Sequence, residues 1–414
     1  MPGLITERNF PTSWTIKRFK YCAQICNGGE YSDIEVEEGG YPVIGSGGEF
    51  ARASKFSYCG KSVLLGRKGT VDKPLFVDGA FWCVDTMFYT KIKDFMYEKY
   101  LYYCALCFPF DYYVTSTALP SMTQRDLGSQ EIAVPPKKDQ KAIADFLDKE
   151  CAQIDSIAAD LEKQIALLQQ YKKSLITEIV TKGLDKSVPM KDSGVEWLGK
   201  IPAHWNFKRL KFMLENSSDS IKVGPFGSAL SGSDFTDEGK WVYNQRVVLD
   251  NNFSENATFV SEEKFQEMRS FAVYPGDILI TTRGTIGKVA IVPEGANEGI
   301  LHPCIIKFRV DKEMIIPELL QLIFNESDFV KDQFTLMSNA TTIEVIYSYS
   351  LKDILLPVIP ADEQEKIYAY LSKKCIAIDG IIAEKQKALA TITQHKKSLI
   401  YEYVTGKKRV KEVQ

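Results

Sequence analysis

Two stretches of this chain, residues 136–183 and 360–407, repeat one another at a constant offset of 224 residues without a gap. Of the 48 aligned positions, 21 are identical. The run KKSLI stands at 172–176 in the first copy and at 396–400 in the second. An internal repeat of this kind constrains the fold strongly, because both copies are expected to adopt the same local structure.

Each copy predicts one long α-helix. Apolar residues recur at alternating spacings of four and three through both copies, which is the a/d seam of a coiled coil. Lys172 and Lys396 interrupt this seam at the same position, as polar residues that fix register often do. We therefore expect the two helices to pair as an antiparallel rod. The alternative, two amphipathic helices in unrelated domains, leaves the ungapped identity unexplained.

The segments before the two helices also resemble each other. FPTSWTIKRF at 10–19 matches IPAHWNFKRL at 201–210, and Lys68-Gly69-Thr70 matches Arg283-Gly284-Thr285. Each tripeptide lies between two apolar runs that are typical of β-strands. The sequence therefore predicts an order of domain, helix, domain, helix. The predicted parts are a first globular domain at 1–136, a first spacer helix at 137–183, a linker with a second globular domain at 184–359, and a second spacer helix with a C-terminal tail at 360–414.

The predicted fold class is α/β (α+β). Both globular domains mix short strands with a helical stretch, so we expect curved mixed sheets in each. Two long antiparallel coiled-coil helices should separate the domains, with pseudo-twofold symmetry between the halves.

Charge and cysteine patterns argue against several classes of protein. The chain has 51 Lys and Arg against 54 Asp and Glu, and no segment is polybasic, so DNA binding would have to depend on local patches. No apolar run reaches the roughly eighteen residues of a membrane span, and the N-terminus lacks the apolar region of a signal peptide. The nine cysteines include one C-x-x-C, at 104–107, but the three histidines are far apart. We expect a cytoplasmic protein with reduced, buried thiols rather than a metal site.

Motifs for chemistry are absent from the sequence. Pro135-Pro136 lacks the preceding Asn or Asp that an adenine methyltransferase uses to hold a flipped base. Gly60-Lys61-Ser62 has only the tail of a P-loop. The glycine-rich stretch at 45–48 precedes no helical pattern, so it predicts either a tight turn or a close approach of backbone to DNA. We therefore expect a non-catalytic binding protein with neither catalytic residues nor metal ligands.

With these residues in view, the chain resembles the specificity subunit of type I restriction-modification systems. The resemblance covers essentially the whole chain. It rests on the repeated ends KKSLITEIVTKG and KKSLIYEYVTGK, the linker DSGVEWLGKIPAHW, the stretch GPFGSAL at 224–230, and GDILITTRGTIGKVAIV. The first domain is more compact than the second, which puts a loop-by-loop transfer between the halves in doubt.

The resemblance implies a function and a set of partners. Two target-recognition domains would each read one half of a split target in double-stranded DNA, and the two helices would dock two methyltransferase (modification) subunits. Those subunits would methylate adenine, and restriction (motor-nuclease) subunits would cut unmodified DNA. No cofactor is expected in this chain, since S-adenosylmethionine, ATP and Mg belong to the partner subunits.

Residues that contact DNA can be ranked only by residue type. Arg, Lys, Asn and Gln read base edges, whereas Ser, Thr and Lys contact phosphates. An ordinary solvated loop is the alternative for each candidate, and Tyr112 and Tyr113 are expected in the core. The candidates are Ser46, Arg67, Lys68, Thr70, Lys73, Thr115, Ser116, Thr117, Ser228, Asn244, Gln245, Arg246, Arg283, Thr285, Lys288, Asn339, Thr341 and Thr342.

Six isoleucines lie off the seam at the repeat offset and are expected to bind helices of a partner. The alternative is that the globular domains cover them. Two rival functions also remain, a coiled-coil scaffold without DNA recognition and an enzyme fragment whose motif is not visible. The six are Ile143, Ile157, Ile176, Ile367, Ile381 and Ile400.

Overall fold

Contacts in the computed structural model divide the chain into two units. The first unit comprises residues 1–163 and 385–414, and the second comprises 164–384. Each long helix therefore contributes one part to each unit. No helix in the described part of the chain is long and apolar enough to cross a membrane. The structure describes residues 13–113, 120–226, 229–255, 258–338 and 345–410.

Within the residues that the structure describes, the first unit contains ten short strands, three short α-helices and parts of two long helices. Its strands are β1 (Thr15–Arg18), β2 (Ala23–Asn27), β3 (Tyr41–Gly45), β4 (Gly48–Ala53), β5 (Tyr58–Cys59), β6 (Ser62–Gly66), β7 (Leu75–Val77), β8 (Ala80–Cys83), β9 (Met87–Ile92) and β10 (Glu131–Val134). Its helices are α1 (Phe19–Cys22), α2 (Glu98–Ala105), α3 (Gln124–Ser129) and the start of α4 (Lys137–Lys182).

The described part of the second unit contains more strands and helices than that of the first. Its strands are β11 (Met190–Asp192), β12 (Lys200–Pro202), β13 (Asn206–Arg209), β14 (Ile221–Val223), β15 (Phe235–Thr236), β16 (Lys240–Tyr243), β17 (Thr258–Val260), β18 (Ala272–Val273), β19 (Ile278–Thr281), β20 (Val289–Ile291), β21 (Gly299–Leu301), β22 (Ile305–Phe308) and β23 (Leu355–Val358). Its helices are α5 (Gln245–Asp250), α6 (Glu262–Glu267), α7 (Pro317–Glu326), α8 (Phe329–Ser338), α9 (Ser348–Asp353) and the first part of α10 (Ala361–Val404).

The two units share one sheet topology. A four-stranded sheet has the order β2-β9-β6-β7 in the first unit and β14-β22-β19-β20 in the second. The other sheet has the order β4-β3-β8-β5 in the first unit, and β15-β17-β16-β21-β18 in the second. The central pair of that sheet is parallel in both, β3 with β8 and β16 with β21, among antiparallel neighbours. The mixed α/β fold predicted from the sequence is confirmed.

Prolines and glycines mark the ends of the long helices. α4 begins directly after Pro136 and α10 directly after Pro360, where a missing backbone N–H costs no intrahelical hydrogen bond. Gly183 follows α4 with φ 75°, and Gly406 stands two residues beyond α10, also with φ 75°. This left-handed conformation favours glycine and ends a helix.

The seam between α4 and α10 is antiparallel. The ring centroids of Phe146 and Tyr403 lie 4.6 Å apart with their planes tilted by 37°. Further along α4 the carboxylate of Asp155 accepts from Lys396 Nζ at 2.6 Å, and Lys396 lies earlier in α10 than Tyr403, so the two helices run in opposite directions. In the second unit Lys172 Nζ donates to both carboxylate oxygens of Asp379 at 2.8 Å. Both lysine–aspartate pairs join positions related by the repeat offset, so each seam lysine has an equivalent partner on the opposite helix.

Four of the six off-seam isoleucines are buried within the chain, so the expectation that they bind helices of a partner is wrong for these four. Ile143 and Ile400 belong to the hydrophobic core of the first unit, and Ile176 and Ile367 belong to a core of the second. The globular parts therefore cover these side chains, as the alternative held. Ile157 and Ile381 are 52% and 43% exposed and stay candidates for a partner interface.

Candidate nucleic-acid interface

Each unit carries one turn in which a cation, a glycine and a threonine follow one another. The first turn (residues 67–70) follows β6, and the second turn (residues 282–285) follows β19. β6 and β19 occupy the same place in equivalent sheets. Gly69 and Gly284 have φ values of 77° and 64°, which a side chain would strain, so glycine is required at this point of both turns. Lys68 and Arg283 precede these glycines and are exposed.

Equivalent downstream segments pin the two turns through backbone contacts. In the first unit Lys68 forms a β-bridge with Ser121, and Met122 N donates to the Arg67 carbonyl at 3.0 Å. In the second unit Arg283 bridges to Val345, and Ile346 N donates to the Thr282 carbonyl at 2.9 Å. The pinning residues keep the offset of the helical repeat, so the two turns are structurally equivalent.

A glutamine side chain is hydrogen-bonded to the backbone of the second turn. Gln245 Nε2 donates to the Arg283 carbonyl at 2.8 Å and to the Thr285 carbonyl at 3.4 Å. Thr281 Oγ1 donates to the same Thr285 carbonyl at 2.7 Å. The amide of Gln245 therefore positions the turn that carries Arg283, a role that residue type alone did not indicate.

Other candidates in the second unit serve local structure. Asn244 caps α5, since its Oδ1 accepts from the backbone N–H groups of Arg246 and Val247 at 2.9 and 3.2 Å. Lys288 Nζ donates to the Asn325 carbonyl at 2.5 Å, and burial lowers the pKa of this lysine. Arg246, by contrast, has a side chain that is 72% exposed beside Asp250. Among these residues the structure brings Gln245 together with Arg283 and Thr285.

In the first unit the candidates cluster around the first turn. Arg67 is half-buried, with its guanidinium donating to the Asp85 carbonyl at 3.2 Å and lying 5.8 Å from the Phe88 ring centroid. Lys68, Thr70 and Lys73 are exposed on and just after this turn. Three cations thus lie within a short stretch, two of them fully available to a ligand.

The remaining candidates fall into two groups. Ser46 lies half-buried in the tight turn between β3 and β4, which agrees with the simpler of the two readings of its glycine-rich stretch. The others lie outside the described residues and stay predictions, namely Thr115, Ser116, Thr117, Ser228, Asn339, Thr341 and Thr342.

Two exposed tyrosines directly follow the segment bonded to the second turn and were missed by the sequence reasoning. Tyr347 and Tyr349 are 53% and 66% exposed, and their rings stack at 5.4 Å with planes 7° apart, directly after the segment that pins the second turn. In the first unit Tyr112 is 60% exposed, so the expectation that it belongs to the core is wrong, whereas Tyr113 is half-buried and its hydroxyl accepts from Gln130. In the sequence, only the spacing of two residues between Tyr347 and Tyr349 could have indicated this pair of exposed rings.

The thiols of the C-x-x-C segment are turned inward. Cys104 is buried in α2, and burial raises the pKa of Cys107 to about 12. All nine cysteines are free thiols, and the described residues contain no group of three or more His, Cys, Asp or Glu side chains placed to hold a metal ion.

Comparison with known proteins identifies the shared module. The sequence profile described as "Type I restriction modification DNA specificity domain" matches residues 11–167 and again residues 222–391. The chain belongs to this family. It contains two copies of the specificity domain, and each copy includes one of the two equivalent turns.

Individual relatives agree with this assignment. The chain is 25% identical over 302 residues to the type I restriction enzyme MjaVIII specificity subunit of Methanocaldococcus jannaschii, an alignment that covers 72% of this chain and 66% of that protein, just under two thirds. It is 23% identical over 351 residues to the EcoBI specificity subunit of Escherichia coli, covering 80% of this chain and 72% of that one.

A solved structure shares the fold. It comes from a study of complex assembly and conformational transition of the type I R-M system. The likeness has a TM-score of 0.68 at 15% sequence identity and covers 97% of this chain and 100% of the other.

Proposed function

We propose that this chain is the DNA-specificity subunit of a type I restriction-modification complex. The observation that carries the proposal is the duplicated module, in which equivalent sheets present equivalent turns with an exposed cation next to a glycine. Each module reads one short half of a bipartite DNA target. Two modules on one chain give two half-sites separated by a spacer that neither module reads.

The exposed cations make the turns suited to reading bases. Arg283 projects from a turn whose backbone is fixed by Gln245, Thr281 and the strand partner Val345. A long cation on a fixed backbone can form a bidentate pair with guanine, and glycine beside it lets the backbone approach the DNA. Lys68 takes the equivalent place in the first module.

The partners follow from the same proposal. Two methyltransferase subunits dock on the long helices and methylate adenine in the target, and restriction subunits cut unmodified DNA. Ile157 and Ile381 are exposed at equivalent helix positions, which suits two copies of one partner. This chain itself is non-catalytic, and S-adenosylmethionine, ATP and Mg are bound by the partners.

Methylome mapping of cells that carry this chain with its methyltransferase tests the proposal. We expect adenine methylation at one split motif. Exchange of residues 186–359 for the matching domain of a relative is expected to change one half of that motif and leave the other half unaltered. Loss of both halves in a folded chimera would contradict the modular assignment. A chain that yields no motif and no DNA binding together with its partner would instead be a scaffold.

Replacement of Arg283 by alanine is expected to weaken binding of the target duplex by about 1–3 kcal/mol, because one bidentate base contact is lost. The loss should concern the half-site read by the second module and should be small for scrambled DNA. Arg269→Ala is a matched control, since it removes an arginine from a short turn elsewhere in the same unit. Competition binding of target against scrambled duplex measures both. Equal affinities of R283A and the unaltered chain would make Arg283 a solvated loop residue.

A further inference from the structure

A short basic segment follows the buried tryptophan at the start of each module. The first basic segment (residues 17–21) reads Lys-Arg-Phe-Lys-Tyr, and the second basic segment (residues 208–212) reads Lys-Arg-Leu-Lys-Phe. The central residues, Phe19 and Leu210, are fully buried. Both segments have exposed cations on either side of that buried anchor. They have no part in the turns described above.

The local fold presents the cations in the same way in both units. β1 pairs with β10 and β13 pairs with β23, and then Phe19 N donates to the Gln130 carbonyl and Leu210 N to the Ile354 carbonyl, each at 2.8 Å. The last aromatic ring of each segment is 59% or 63% exposed, with the neighbouring lysine Nζ 5.0 or 5.2 Å from its centroid. Backbone hydrogen bonds thus fix the chain segment that carries two exposed cations and one exposed aromatic ring on each unit.

Each basic segment lies at the far end of a short helix from its turn. In the first unit α3 begins three residues after Ser121, which bridges to the first turn, and its Gly128 lies against Lys20, where an added Cβ would come within 3.2 Å of the lysine Cβ. In the second unit α9 connects Val345 to Asp353, whose carboxylate contacts the second basic segment. A six-residue helix spans about 9 Å. Since each strand of B-DNA carries one phosphate per about 3.4 Å of helix axis, this distance measured along the axis corresponds to about three base pairs.

The two segments differ in how their charge is compensated. Arg18 and Lys20 form no ion pair within the described part of the chain. Arg209 and Lys211 share the Asp353 carboxylate, at 3.2 and 3.3 Å. The repeat offset places Ser129 where Asp353 stands in the second unit, so the first segment lacks that carboxylate. Glu131 stands opposite Arg18 in the β1–β10 ladder but forms no ion pair with it.

We propose that the two basic segments bind DNA phosphates beside each half-site and thereby set the register of the two turns on the duplex. The inference rests on the proposed DNA-recognition function. Double-stranded DNA is the ligand that suits paired cations near a base-reading turn, because contacts to phosphate position a protein whereas contacts to bases specify the sequence. The first basic segment contributes more than the second, since Asp353 competes with phosphate for Arg209 and Lys211.

The test uses the full chain and two duplexes of equal length, the methylated motif found by mapping and a scrambled sequence. Arg18→Gln with Lys20→Gln is expected to weaken both duplexes alike. It should reduce the slope of log affinity against log salt by about one for each cation that contacts a phosphate. Arg209→Gln with Lys211→Gln is expected to have a smaller effect. Asp353→Asn is expected to increase affinity and slope, a gain that a folding defect cannot produce.

A matched control removes the same number of charges from exposed helix positions of the first unit. Lys149→Gln with Lys163→Gln should leave the salt slope unchanged. An unchanged slope in the first-segment variant, while the unaltered chain still prefers its motif, would overturn the phosphate contact and leave the proposed function standing. Loss of methyltransferase co-purification with an unchanged slope would assign the segment to a protein partner. Absence of DNA binding by the unaltered chain with its partner would overturn the proposed function itself.

Discussion

Replacement of Asp277 by leucine is expected to destabilise the second unit by about 3–5 kcal/mol, because it removes the buried carboxylate that pairs with a buried ammonium. Asp277 and Lys307 are 1% and 2% exposed, and Lys307 Nζ lies 3.3 Å from Asp277 Oδ2. The same carboxylate accepts from Arg309 Nε at 2.5 Å, which raises the pKa of Arg309, and from Tyr274 N at 2.9 Å. One aspartate therefore satisfies three donors at the edge of β19 and β22.

The remaining partners of Lys307 are too few to replace this carboxylate. Lys307 Nζ would keep the Ala272 carbonyl at 2.8 Å and the half-exposed Asp219 at 3.4 Å. Asp219→Ala is the matched control and is expected to cost about 1 kcal/mol or less, as exposed ion pairs do. Asp277→Leu with Lys307→Leu should be less destabilised than Asp277→Leu alone, because no buried charge is stranded.

Denaturant unfolding followed by hydrogen exchange measures this effect. Protection of backbone amides from exchange should fall in the second unit and persist in the first. There the side chains of Ser62 and Thr90 link the corresponding strands, β6 and β9, through neutral hydrogen bonds. A change below about 1 kcal/mol in the single variant would mean that water or Asp219 compensates the charge.

Replacement of Gln140 or of Gln364 by leucine is expected to cost at least about 1–3 kcal/mol each, because it leaves buried backbone groups unsatisfied and one such group costs about 1–3 kcal/mol. Both amides are 1% exposed. Gln140 accepts from Tyr97 N at 2.6 Å and donates to the Phe95 and Pro135 carbonyls at 3.1 and 2.8 Å.

Gln364 repeats this arrangement in the second unit. It accepts from Ile316 N at 2.9 Å and donates to the Met314 and Ile359 carbonyls at 3.0 and 2.8 Å. Each glutamine ties the start of a long helix to the residue that precedes a domain helix, α2 or α7. This shared set of three hydrogen bonds explains why both copies of the repeat have glutamine at this position.

The two variants serve as controls for each other. Gln140→Leu should lower protection from hydrogen exchange in the first unit, and Gln364→Leu in the second, while Gln169→Leu on an exposed helix position should leave both unchanged. Equal loss of protection in both units from either single variant would contradict this local role.

The sequence by itself determined the features that depend on local pattern. The 224-residue repeat and the a/d seam predicted two long helices, which begin at residues 137 and 361 in the structure. The match between Lys68-Gly-Thr and Arg283-Gly-Thr predicted equivalent turns, because glycine beside a strand marks a backbone that other residues cannot adopt. Each of these signals is a pattern among residues that are neighbours in the chain, so it can be recognised without knowledge of the tertiary structure.

The tertiary structure decided which side chain meets which partner. Ile143 and Ile367 lie two heptads before Ile157 and Ile381 on the same helical faces, yet the domain cores cover only Ile143 and Ile367. Gln245 looked like a base-reading residue, but its amide meets the Arg283 carbonyl, thirty-eight residues away in the chain. Such contacts depend on how sheets and helices pack across long separations, and burial or a hydrogen bond then follows from that packing rather than from residue type.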